Sequence, residues 1–494
     1  MRRLSSSWWV LVAFILSGAV SDASRTRPEY DFGPLASRTL DVNGNTRSRV
    51  LGPVWESASA TQGWHMAALR PFYSAYEVPA QRITGKDIAW PLSTLRTRGD
   101  ETLNRYLIFF NFKHDDPNQV TGKRRYRFWL LPFYFQGRDK DGIAYHAVFP
   151  LGGTIREFAG RDEIKFVLFP IRVTSKLNEL ESSSWLWPIF SRTTGDNVDM
   201  KRVFPLYGRY SRKGDFERKF ILWPIWTQVR YDYPKSHGKG FILFPLFGHV
   251  KLSDQTTWWV LPPFFRYTKG VTNDRIYAPW PFIQYSRGEL NKLFIWPLWG
   301  HKKIAGLERS FYLWPIFWNE HVTRGEEVQH RVIAAPFFQN VKSFVPARPK
   351  EPSRVRSQKL WPIYSYRRVG DESRFRILEL WPLGDAAAVE RNWAPWWSLV
   401  SRTRQGENRD WEVLWGLYRQ QARADGGRYW SLFPLFDRFR EGDGTRGWSI
   451  LKGLLGSEGD DSHRQFSMLY FLRFGHAPEN EPLTPSSQNS TTLP

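Results

Sequence analysis

The chain has no cysteine and only 4 methionines in 494 residues. Without a thiol there can be no disulfide scaffold, no thiolate metal site and no cysteine nucleophile. Acidic residues are scarce too: 48 Asp and Glu stand against 70 Lys and Arg, a formal net charge of +22. Past the first twenty residues the longest apolar runs are about eight residues, as in Phe128–Phe135. A spanning helix needs about 20. Also missing are a His-Glu-x-x-His, a Gly-x-Ser-x-Gly and a phosphate-cradling glycine loop. The one concentrated acidic turn, Gly456–Asp461, lacks the alternating oxygen ligands of a calcium loop. These absences point away from an enzyme and supply no reason to expect a metal or cofactor.

What the chain has is aromatic side chains: 26 Trp, 20 Tyr and 36 Phe, 17% of all residues. Disordered chains are poor in such residues, so a packed structure is expected. At the start, Arg2 and Arg3 precede an apolar run from Trp8 to Val20, followed by small residues. That layout reads as a secretory signal peptide over residues 1–23. In Leu16-Ser17-Gly18-Ala19, Ala19 stands where a lipoprotein leader has its cysteine, so no lipid can be attached there. The mature protein is expected to be exported, to the periplasm or outer membrane of a bacterium.

One pattern fills the rest: apolar residues, Pro, an aliphatic residue, an aromatic one. It is seen in Phe220–Trp226, Phe241–Phe247 and Phe311–Phe317. From Pro132 to Pro336 the anchors advance 204 residues in eleven steps, a mean near 18.5. Earlier anchors are Pro53, Pro71 and Pro91, and later ones Pro362, Pro382, Pro395 and Pro434. Asn111, Gly416 and Gly453 mark units that lost the proline. The blocks are short, rich in β-formers and bounded by turn residues, and a Pro every 18 or 19 residues forbids long helices. The expected fold is all-β: about twenty antiparallel hairpin or meander repeats around a shared apolar hub, closed barrel-like or radial. Each Pro should kink the chain at a hairpin base, with charged turns at the rim. A polar lead-in (24–48), a repeat domain (49–475) with an expanded loop (343–357), and a disordered tail (476–494) complete the organisation.

These units resemble bacterial exported repeat proteins rich in Leu-Trp-Pro-Leu-Phe modules, and the radial hairpin arrangement called the β-flower. The resemblance covers about residues 50–475. It implies a β-repeat fold and, through the β-flower's likeness to lipid-binding tubby-type barrels, membrane-associated binding.

Within the repeat, the second residue after Pro is usually aromatic, and the fourth can always hydrogen-bond and is never acidic. In an extended strand the two share a face. One reading makes the aromatic core and the fourth residue the point where the strand emerges into water. The other makes the pairs a ligand-binding surface, with Arg192, Arg209, Gln228, His249, Arg266, His301, Asn319 and Arg438 as its donors. Aromatic rings with basic donors suit anionic or polyhydroxylated partners: a membrane surface, an anionic lipid or a glycan. The charge would also attract nucleic acid, but export argues against it as a partner. The ten histidines are scattered, with His321 and His330 placed at turns. The expected function is a non-enzymatic envelope protein; the competing expectation is an integral outer-membrane β-barrel of about twenty strands.

Overall fold

The computed structural model describes residues 26–60, 63–114, 124–345, 354–460 and 462–475. The expected signal peptide, the disordered tail and most of the expanded loop lie outside the described residues. The described residues fold as an antiparallel all-β meander of 46 short strands, numbered β1 to β46 in chain order. It divides into two compact units. The larger spans Pro71–Gly370 and Glu379–Ala394; the smaller comprises residues up to Arg70, Asp371–Leu378 and the segment from Pro395 onward. Among the described residues no helix is long and apolar enough to cross a membrane.

In the larger unit each strand from β6 (Tyr73–Val78) to β36 (Tyr364–Val369) pairs with its sequence neighbours. No pairing among the described residues joins β6 to β36, so the expected closure into a barrel is not seen. The prolines do not kink a strand; they reverse it. β21 (Phe216–Ile221) and β22 (Trp226–Tyr233) pair Ile221 with Trp226, so Leu222–Ile225 is a four-residue turn containing Pro224. Lacking an N–H, proline is at home in such a turn and unwelcome in a ladder. The peptide bond before Pro224 is cis, as it is before most of the repeat prolines.

Because consecutive turns fall at alternate ends of the strands, the Pro turns share one edge and the polar turns the other. The polar turns use the backbone that tight hairpins require, as at Asp196 and Asn197, both with positive φ. Along the Pro edge neighbouring turns are bonded to one another. Trp187 N–H donates to the Pro170 carbonyl at 2.8 Å, Trp223 to Pro205 at 2.7 Å and Trp314 to Pro297 at 2.7 Å. The aromatic residues before Pro also touch in succession: Phe169 and Trp187 centroids lie 5.7 Å apart, Phe204 and Trp223 5.5 Å, Trp296 and Trp314 5.7 Å.

This edge is not the buried hub expected from the sequence. Leu206, Leu222, Trp223 and Leu313 are all 50–55% exposed. The apolar core lies instead along one face of the sheet, in the cluster Phe135, Tyr145, Ala147, Ile155 and Phe166. Small residues continue that face, with Ser184 bonded to Ser191 and Thr257 to Thr268, each at 3.0 Å. Helix α1 (Ala387–Asn392) is held to the same unit by Asp87, which accepts from Arg391 at 2.8 Å and Asn392 at 3.0 Å.

In the smaller unit β1 (Tyr30–Phe32) to β5 (His65–Leu69) form one run, and β37 (Glu372–Ile377) to β46 (Leu472–Gly475) another. Residues 26–48 are therefore structured, with three strands, and buried Asp31, Ser37 and Arg38. Their pairing rests on ions and backbone rather than apolar side chains, which is why they read as a lead-in. Three further anchors differ from expectation. Asn111 lies inside β10 (Phe109–His114), opposite Asn104, and the reversal before it is Leu107–Ile108. Pro395 lies in α2 (Ala394–Trp397), whose first turn tolerates proline, and Pro382 precedes the helices outside any strand pair. Gly416 and Gly453 do replace Pro in turns, at φ of 106° and 119°.

The two runs of the smaller unit meet through charges. Glu56 Oε1 accepts from Arg47 at 2.6 Å, and Oε2 lies 2.8 Å from Arg70 and 3.8 Å from Arg49. Arg49 also pairs with Glu412 at 2.5 Å, and Arg419 with both Glu412 at 3.0 Å and Asp31 at 2.9 Å. Burial pushes the Glu56 carboxyl up, but the facing Arg47, Arg70 and Arg49 outweigh it and hold it well below the usual carboxylate range. Nearby Asp410 goes the other way: burial raises it to about 6, and Arg423 only partly offsets this.

Candidate functional site: a tiered exposed face

Residues directly opposite in an antiparallel pair share a face, and alternate residues along a strand change face. The registers of the larger unit therefore sort its side chains into rows. Next to the Pro turns an apolar row faces solvent: Phe190, Tyr207, Ile221, Phe247, Tyr312 and Phe317 are 43–52% exposed. Tyr207, Phe247 and Phe317 are the aromatics two residues after Pro, so the reading that made this position core is corrected. The core rings come from the alternate face instead, as with Phe166 and Phe311, each four residues before its Pro.

Two residues further along each strand, on the same exposed face, runs the donor row. Arg192 faces Lys201, Lys201 faces Arg209, and Arg209 faces Lys219. The row continues through Gln228, Phe241 and His249, and reaches His301, Ser310 and Asn319. Six of the eight donors expected from the sequence thus stand in one row: Arg192, Arg209, Gln228, His249, His301 and Asn319. A third row on this face is charged, with Glu217, Arg230, Lys239 and Lys251 in successive opposition. From edge inwards, the face grades from apolar turn to apolar row, hydrogen-bonding row and charged row.

Arg266 is the exception in this unit. The cis bond before Pro263, not Pro262, marks the turn there, so counting four from Pro262 lands one residue early and on the opposite face. Tyr267 occupies the donor-row position, facing Trp258 at a stacked 5.6 Å. On its own face Arg266 lies over Trp259 at 5.4 Å and Tyr277 at 5.6 Å, and Lys292 lies over Tyr277 at 5.1 Å and Phe294 at 5.2 Å. Burial lowers the Lys292 ammonium, and Lys302, Arg275 and Arg266 lower it further. Arg438 belongs to the smaller unit, between Trp430 and Trp448 on neighbouring strands.

Several donors already have partners. Arg209 pairs with Glu217 at 2.6 Å, His301 Nδ1 meets Ser310 Oγ at 2.9 Å, and Asn319 Oδ1 meets His330 Nε2 at 2.8 Å. His321 and His330 are not turn residues; they face each other mid-strand, stacked at 4.1 Å. Burial lowers the His330 imidazole, with His321 and Lys342 adding to it.

A depression of the exposed face crosses β22, β23 (Ser236–Leu243) and β24 (Phe247–Leu252). It is a groove of about 610 Å³ lined by Trp226, Gln228, Lys239, Phe241, His249 and Lys251. Trp226 and Phe241 stack at 5.1 Å and 17°, and His249 leans on Trp258 at 5.5 Å. Gln228 and His249 were expected as donors; Lys201, Lys219, Lys239 and Lys251 were not. Lys201, Lys219 and Lys239 sit on strands leading into a Pro turn, and Lys251 lies six residues after Pro245, beyond the four-residue offset. Pro turns have three to five residues, so the offset of the entering strand from Pro varies, whereas the strand leaving each turn starts two residues after the turn proline. Among the described residues no group of three or more His, Asp or Glu side chains could hold a metal ion. Compared with known proteins, the chain matches no protein-family model and no curated protein.

Proposed function

We propose that this is a non-enzymatic, exported envelope protein that binds an anionic membrane surface through the tiered face of its larger unit. One observation carries the reading: the cationic strip Arg192, Lys201, Arg209 and Lys219 lies beside the solvent-facing row Phe190, Tyr207 and Ile221 and the half-exposed Leu-Trp-Pro-Ile turns. An apolar border backed by aromatic residues and then cations matches the order of acyl chains, interface and phosphates in a lipid leaflet. A contiguous exposed apolar border is itself a mark of an interaction surface. The net charge of +22 favours anionic partners. About twenty repeats, counted from the sequence, would supply many weak contacts acting together.

The competing reading is an integral outer-membrane barrel of about twenty strands. Strands such as β20 (Tyr207–Arg212) and β21, at 6 residues each, favour the peripheral reading, because a membrane-spanning strand needs about 9–11. The test is co-sedimentation with vesicles of phosphatidylcholine alone or mixed with phosphatidylglycerol, across a salt series. Binding should require the anionic lipid and weaken with salt. The Arg192→Glu/Lys201→Glu variant should bind at least about tenfold more weakly. Unchanged binding by that variant, or equal binding to both vesicle types, refutes the reading.

A further inference from the structure

We propose that the groove across β22–β24 is a discrete binding site for a phosphorylated sugar. This goes beyond attachment to a surface, and its two lysines lie outside the Arg192–Lys219 strip, so each proposal can fail without the other. The argument begins with a pair of like charges. Lys239 and Lys251 face each other directly on the exposed face, an arrangement that destabilises a sheet unless an anion intervenes. The carboxylates on this face are committed elsewhere. Glu217 pairs with Arg209 and Lys219, and Asp232 with Arg230 at 3.1 Å. Asp254 accepts from Ser236 at 2.6 Å. Among the described residues no carboxylate lies within ion-pair distance of Lys239 or Lys251.

The other end of the groove is apolar. Trp226 and Phe241 are nearly parallel and stacked on each other, and Phe247 meets Phe241 edge-on at 5.7 Å and 83°, which fixes its ring. Between this wall and the lysines stand Gln228 and His249, each able to donate and to accept. A pyranose offers the matching sequence: a C–H face for the rings, hydroxyls for the amide and imidazole, and a phosphate for the two ammonium groups. The groove's volume of about 610 Å³ falls among small-molecule sites.

Calorimetric titration of the purified protein with glucose 6-phosphate, glucose, inorganic phosphate and AMP tests the assignment. Glucose 6-phosphate should bind saturably, and glucose and inorganic phosphate each at least about tenfold more weakly, since each lacks one half of the match. Lys239→Ala/Lys251→Ala should weaken glucose 6-phosphate at least about tenfold. Both lysines are exposed, so this variant should keep its fold, and relief of repulsion should leave its melting temperature unchanged or higher. Trp226→Ala should weaken glucose 6-phosphate while leaving inorganic phosphate binding as it was. Vesicles containing phosphatidylinositol 4-phosphate present the same chemistry from a lipid. Lysine-dependent binding of either form supports the site, and the tighter form names the source. No saturable binding of either form, unchanged binding by the double-lysine variant, or tighter binding of AMP than of both overturns the proposal.

Discussion

Replacing Glu56 by Gln in the smaller unit is expected to be among the most damaging single changes the protein can suffer. Its side chain is 3% exposed and serves Arg47 and Arg70 directly, with Arg49 just beyond; the Arg70 side chain is 1% exposed. Gln keeps the shape but removes the charge, so the buried Arg70 loses the carboxylate 2.8 Å away. Breaking a buried pair from one side typically costs about 3–5 kcal/mol. At roughly 2–4 °C per kcal/mol for a unit of this size, the melting temperature should fall by about 10 °C. Arg47→Met should cost less, because that side chain is 34% exposed and its loss leaves Glu56 with Arg70. The pH dependence has a definite sign. The folded carboxyl lies below its ordinary value of 4.5, so its stabilisation is present above that pH and lost as pH falls through the folded value. Urea unfolding followed by tryptophan fluorescence, at neutral pH and in acid, reads both effects. The wild-type protein should lose stability on acidification, and Glu56→Gln should lose less. A Glu56→Gln variant within about 1 kcal/mol of wild type at neutral pH would show that the cluster is solvated, and the reasoning would fail.

Asp410→Asn should act in the opposite pH window. The carboxyl titrates at about 6 when folded against 3.8 otherwise, so its favourable protonation is complete below the lower value and lost as pH rises through the upper. The variant should lack the resulting decline of up to about 3 kcal/mol between pH 4 and 7 in urea titrations. Leu222→Gly/Leu313→Gly removes two half-exposed apolar residues of the Pro edge, both at positive φ. Relief of about 1 kcal/mol of backbone cost per site should roughly balance glycine's entropy, leaving thermal stability near wild type while vesicle binding drops. Gly300→Ala should destabilise the larger unit by roughly 1–3 kcal/mol in the same urea assay. Its Cβ would lie 2.2 Å from Phe311 Cε1 and 2.7 Å from Phe294 Cδ1, on the covered face.

The all-β class and the two-residue offset behind the exposed rows were legible because the strand leaving each Pro turn starts at a fixed distance from the proline. Gln228 and His249 were found in this way. The strand entering the turn keeps no such distance, so Lys239 was invisible until registers were known; Lys251, six residues after Pro245, lies one strand step beyond the four-residue offset. Arg266 was misplaced by the doubled Pro262-Pro263, which hides a one-residue shift, and such a shift turns a side chain to the other face. The larger error concerned burial. Trp-Pro-Ile reads as core because it is apolar, yet at a sheet edge an apolar turn has only its neighbours for cover, and Trp223 remains 52% exposed. The ionic interior of the smaller unit, from Asp31 to Glu412, carried no apolar periodicity, so nothing in its composition marked it as packed.

The alternation of turn chemistry limits how such a chain can change length. Excising residues 226–246 would splice the turn after β21 straight onto β24, with Ile221 meeting Phe247 in place of Trp226. Greasy reversals would stay on their own border and every row would keep its side. Removing a lone strand would send the following reversals to the wrong border. Strands can therefore be gained or lost only in twos, and evolution can set the reach of the apolar border by duplication while leaving its polarity untouched.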